Sequence, residues 1–208
     1  MCTEEKSAIA GLPLVFTAVA GLPLVFAVVG IAFQNQSVPK PQRSNPMDVT
    51  RITVEHVRVA TETPFEKVTN AFEQQLGHFD PSAYQQLNSG IDPDEVRAKI
   101  KAMEGSSGFM LFRTTDHGAL LRLAGQKRKS IQYLLGNPLF ALQMTRHDIR
   151  ASLYAPLRVL IYQTEHGKTC VEYDKPSSQF GQFGNAKVTE VALMLDRKLE
   201  QLVTKALE

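Results

Sequence analysis

The chain has 208 residues, room for one sizeable domain plus an extra segment, and its 23 Lys/Arg against 21 Asp/Glu give a net charge of +2. That balance excludes a surface built throughout for polyanions, so nucleic acid is not an expected partner. The two cysteines, Cys2 and Cys170, form no Cys-x-x-Cys pair, which excludes a disulfide framework and a cysteine-based zinc site. No His-x-x-x-His or His-Glu-x-x-His spacing points to a metal, and no cofactor motif is expected.

Residues 1–7 are polar, and Ala8 to Phe33 then runs 26 residues without a charge, an Asn or a Gln. As a helix it measures about 39 Å, against a hydrocarbon core of roughly 30 Å. It holds a ten-residue tandem repeat, AGLPLVFTAV then AGLPLVFAVV, with Pro13 and Pro23 in equivalent places. Proline is better tolerated in membrane helices than in soluble ones. A cleaved signal peptide is expected to have a shorter apolar stretch and a basic lead, whereas this lead holds Glu4, Glu5 and a single Lys6. The segment is read as a single-pass anchor. Only Lys6 precedes it while Lys40, Arg43 and Arg51 follow, which places the C-terminal domain on the cytoplasmic side. The alternative is a repeat expansion that never inserts, leaving a soluble cytoplasmic chain. Residues 34–49, with three prolines in QNQSVPKPQRSNPMD, read as a solvated linker to a domain spanning 50–208.

Arg51 to Ala60, rich in Val, Ile and Thr, predicts a strand whose alternation slips near His56, by a bulge or by cover on both faces. Thr63-Pro64-Phe65-Glu66 reads as a capping box, opening a helix with Phe65, Val68, Phe72 and Leu76 on one stripe and a stop at Gly77. His78 to Gly90 reads as an irregular excursion. Asp92-Pro93 caps a second helix carrying Val96, Ile100 and Met103 and closed by Gly105. Phe109 to Arg113 predicts a strand, Ala119 to Leu123 a helical turn, and Ser130 to Leu135 a further strand. Asn137-Pro138 opens a helix to about His147 that is apolar on nearly every side and therefore expected to be buried. Arg158 to Gln163 and Thr169 to Tyr173 form a hairpin. A long amphipathic helix follows, with Val188, Val191, Ala192, Leu195, Leu199, Leu202, Val203 and Ala206 on one stripe. The expected class is α+β: a mainly antiparallel sheet covered by helices, with an N-terminal apolar helix.

From Ser130 the order of motifs is specific. A strand ends in Asn137-Pro138, an apolar helix follows, and Ala155-Pro156-Leu157-Arg158-Val159 leads a strand through Tyr162. Then come Gly167-Lys168-Thr169, Val171 to Pro176, and Phe183-Gly184-Asn185 before the last helix. In this the chain resembles the domain of unknown function 302 family, over about Arg51 to Leu207. The resemblance implies a β-α-β-rich fold similar to that of the TATA-binding protein, frequent dimers, and no settled activity. It also implies cysteines at two places which here hold Gly136 and Leu157, and a shorter region than this chain has at 78–105.

Thr145-Arg146-His147-Asp148-Ile149-Arg150 is the densest polar cluster: an imidazole for base work and two guanidiniums to clamp an anion, or cations that favour a helix C-terminus. Neighbours on a helix diverge by about 100°, so His147 and Asp148 are not expected to face each other. Arg113 to His117, at a strand end, offers Arg113 and His117 as binding residues or simply a polar turn. Asn137 marks a helix N-terminus that could hold an anion or that Asn137 itself caps. Phe180 and Phe183 place two large apolar groups in a loop, as a lid or as an anchor. Gln126-Lys127-Arg128-Lys129 is a solvated turn or a contact for anionic lipid headgroups. Gly167-Lys168-Thr169 is not a phosphate loop, since Tyr162 stands where that motif needs Gly.

The expected function is small-molecule or lipid binding by a membrane-tethered homodimer. The alternatives are an enzyme with His117 or His147 as general base and Arg146 or Arg150 as clamp, or a non-catalytic dimerising scaffold.

Overall fold

The structure, a computed structural model, describes residues 47–208. The apolar segment 8–33, and the linker as far as residue 46, lie outside the described residues. Among those described, no helix is long and apolar enough to cross a membrane.

Six strands form one sheet in the order β1-β6-β5-β4-β3-β2. They are β1 (His56–Thr61), β2 (Gly77–His78), β3 (Met110–Asp116), β4 (Ser130–Gly136), β5 (Leu157–Gln163) and β6 (Thr169–Asp174). All neighbours are antiparallel except β2 and β3. The period of two puts Val159, Ile161, Val171, Tyr173 and Tyr133 on one face, and all five are buried. Helices cover that face, as the α+β expectation requires. Helix α1 (Phe65–Glu73) inserts Phe65, Val68 and Phe72, and α7 (Ala186–Leu207) inserts Val188, Ala192, Leu195, Leu199, Leu202 and Val203. Each fully buried Val, Leu or Phe stabilises the fold by about 1.5–3 kcal/mol. The opposite face carries exposed His56, Arg58, Ala60 and Arg158.

Several local expectations are corrected. β1 starts at His56 rather than Arg51, so the slip in alternation is the strand's beginning; Ile52 and Val54 precede it and are partly exposed. Thr63 does not cap α1. Its hydroxyl instead donates to the Leu207 carbonyl at 3.2 Å, one of the free acceptors at the end of α7. Gly77 belongs to β2 and lies against Gly105 backbone to backbone. A Cβ on Gly77 would stand 1.8 Å from the Met103 oxygen, and one on Gly105 2.3 Å from the Gly77 nitrogen. The excursion after His78 is ordered, with α2 (Ser82–Asn88) followed by α3 (Pro93–Ala102).

These two helices build a second, smaller core of Phe79, Ala83, Val96, Ile100 and Met110. Helix α4 (His117–Leu121) and a 3-10 turn (Arg122–Ala124) separate β3 from β4. Helix α5 (Pro138–Thr145) is not buried all round: only Pro138 and Met144 are, and Leu142 is 44% exposed. It packs against α7, α3 and the 3-10 turn Ile149–Tyr154, and leaves Leu142 and Gln143 to solvent. The Phe180–Phe183 segment is helical, α6 (Pro176–Phe180) and a 3-10 turn, with Phe180 fully buried. That burial fits the anchoring reading of Phe180.

Candidate functional site

An apolar cavity of about 370 Å³ lies where the two cores meet. The smaller core and its surroundings supply Phe79, Tyr84 and Phe112, while the main core supplies Phe109, Met144, Leu157, Phe180 and Leu195. Phe140 and Ala141 of α5 close one side, which explains an apolar helix that is not itself buried. The volume falls in the range usual for small-molecule sites, roughly 300–1,000 Å³.

Asn137, at the end of β4, is the polar residue of the wall. Its Oδ1 accepts from Leu139 N at 2.8 Å, capping α5, and its Nδ2 donates to Glu104 Oε1 at 2.7 Å and to the Gly108 carbonyl at 2.9 Å. Both amide hydrogens are thus committed within the fold. The capping reading of Asn137 accounts for its geometry, and its amide keeps no hydrogen for a ligand. Gly136 and Leu157, the two places where the family resemblance implies cysteine, both line the same cavity. No thiol stands at either.

The other sequence-predicted residues are not gathered there. Arg146 and His147 line a groove with Lys187, Glu190 and Met194, and Arg146 Nε donates to His147 Nε2 at 3.1 Å. Arg150 is held by Asp148 through two hydrogen bonds of 3.0 and 2.7 Å, which keeps the Asp148 carboxyl below its usual range. Its guanidinium also sits 5.1 Å from the Phe183 ring centre. Arg150 and Phe183 therefore satisfy each other. Arg113 is exposed on β3, and His117 opens α4, whose packing partner is β4. Neither is among the residues lining the Arg146–His147 groove.

Sequence reading missed a polar network on the open face of the sheet. Glu172 accepts from Tyr162 Oη at 2.7 Å and faces Arg58 Nε at 3.1 Å, while His56 Nδ1 lies 2.8 Å from Asp174 Oδ1. The bond to Glu172 pushes the Tyr162 phenol up to about 12, and the bond to Asp174 raises His56. Its one local signal is the alternation Cys170, Glu172, Asp174 along β6; the partners arrive from β1 and β5. Among the described residues, no group of three or more His, Cys, Asp or Glu is arranged to hold a metal ion.

Among the described residues the fold is thus that of an α+β domain with a single helix-covered sheet and an apolar chamber between two cores. The family model described as "Domain of unknown function DUF302" matches residues 85–206, and the chain belongs to that family. The crystal structure of an uncharacterised conserved DUF302 protein from Bacillus stearothermophilus is similar, with a TM-score of 0.51 at 15% identity. The likeness covers 73% of this chain and 97% of that one, and at this identity it is one of fold. No curated protein matches the chain.

Proposed function

We propose that the domain binds a small, largely apolar molecule in the chamber between α5 and the two cores. The observation that carries this reading is the lining: apart from Gly136 and Asn137, every residue around the roughly 370 Å³ has an aromatic or aliphatic side chain. The cavity opens to solvent beside the half-exposed Tyr84, and contiguous apolar surface left facing water marks a binding groove. With Asn137 committed within the fold, selection falls to shape and apolar contact rather than to a charged clamp. Tethering through residues 8–33 and homodimer formation belong to the same reading. The first rests on the charge-free apolar run and the second on the family resemblance.

Native mass spectrometry of the full chain, released in detergent from its own host, tests binding and dimer formation, and whether the chain pellets with membranes before detergent is added tests tethering. A retained small molecule, displaced by a fluorescent fatty acid that the protein then binds, is the expected result. A chain that carries nothing and does not bind the fatty acid would end the binding proposal. The same spectra report monomer or dimer.

A further inference from the structure

Consecutive antiparallel strands need only a short turn, usually two to five residues, yet β3 and β4 are joined by the long excursion 117–129. The excursion is firmly built. Asp116 Oδ1 accepts from Ala119 N at 2.9 Å, Gln126 N bonds to the Leu121 carbonyl at 3.0 Å, and Gly118 is pressed against the backbone of Arg128 and Ser130. What this scaffold holds outward is unusual. Leu123 is 89% exposed and Leu120 59%, three residues apart and so on one side of the helical turn. Between and beyond them stand Arg122, Lys127, Arg128 and Lys129, which with Ala119 rim a single concavity.

Arg128 is paired with Glu165 and Lys129 with Glu66, while Arg122 and Lys127 make no ion pair among the described residues. Rigid, outward leucines among cations match the two layers of an anionic bilayer surface: phosphate and carboxylate at the headgroups, hydrocarbon just beneath. A soluble anionic metabolite would use the cations but leave Leu123 in water. The chain also carries its apolar run at 8–33, so a bilayer is a surface it is expected to meet. We infer that the Leu120–Lys129 tip docks on an anionic lipid surface, with Leu120 and Leu123 entering the interface and Arg122 and Lys127 facing the headgroups. This site is separate from the apolar chamber and does not depend on it.

The chain contains no tryptophan, so Leu123→Trp supplies a single emitter at the tip. The full chain would be reconstituted into phosphatidylcholine vesicles with and without phosphatidylserine, each with brominated acyl chains as quencher. The expected result is a blue shift and quenching on the anionic vesicles. Both effects should be lost in high salt, on neutral vesicles, and when Arg122→Glu and Lys127→Glu are added. Leu153→Trp, at another exposed leucine, should stay unquenched. Equal quenching on neutral vesicles, equal quenching of the Leu153 variant, or none at all would overturn the inference. So would a blue shift that grows with protein concentration in the absence of lipid, which would make the tip a contact between copies. If the charge-reversed protein fails to fold, the salt and neutral-lipid arms on Leu123→Trp alone decide.

Discussion

The hydroxyl of Tyr133, on a side chain with no exposed surface, donates to Glu73 Oε1 at 2.7 Å. It is the one polar atom that β4 sends into the layer of α1, and burial together with that carboxylate pushes the phenol far above its ordinary range. Phe72 packs against the same ring, tilted by 55° with 5.0 Å between centroids. Tyr133→Phe removes the bond but keeps the packing, and Glu73 can return to water. The expected loss is about 1 kcal/mol by denaturant melting. Tyr133→Ala should cost about 3–5 kcal/mol, as other large aromatic truncations do.

The contact of Gly77 with Gly105 allows no side chain on either. Gly77→Ala and Gly105→Ala are each expected to destabilise by about 3 kcal/mol or more, the top of the range for overpacking, because the atoms met are backbone. Gly181→Ala is the control: nothing lies within 4 Å of its added carbon, and its melting temperature should be unchanged.

Asn137 separates capping from charge. Asn137→Ala loses a helix cap and one of the two donors to the Glu104 carboxylate, Lys101 remaining as the other, for an expected loss of roughly 1–2 kcal/mol. Asn137→Asp keeps the cap yet sets a second carboxylate against Glu104. Its stability deficit should shrink as the pH falls and one of the pair takes up a proton, and a flat deficit across pH would refute that account.

Filling the chamber tests whether it is used. Ala141→Leu adds side chain at the cavity wall, away from the Asn137 bonds. Fatty-acid binding should fall at least about tenfold while the melting temperature holds or rises, as when a cavity is filled by apolar atoms. Unchanged binding would place the ligand elsewhere.

His56 gives a pH signature to the sheet edge. Its pKa is raised in the fold, first by the bond to Asp174, so its contribution is fully present below the ordinary histidine pKa and lost as pH rises through the raised one. His56 is about half exposed, so the effect is that of a screened surface pair, at most about 0.5 kcal/mol. Wild type and His56→Gln should therefore differ most near pH 5, converge above pH 8, and differ less in high salt.

How much of this was legible beforehand follows the range of the forces involved. The stripe of α7, the β5–β6 hairpin, the cap at Asn137 and the α+β class were written locally, because burial on a regular element imposes a period of 3.6 or 2 on its own sequence. The family resemblance was legible for the same reason, as an order of such local signals. The chamber was not: Phe79, Phe140 and Phe180 meet only after two cores pack, and no period encodes a gap between them. Nor was the misassigned role of Thr63, whose hydroxyl answers a carbonyl 144 positions away, or that of Gly77, whose conformational freedom mattered less than the backbone it touches. Sequence alone determined which residues seek the interior. Only the tertiary packing decided where that interior closes and where it stays open, because the partner across a contact comes from distant chain.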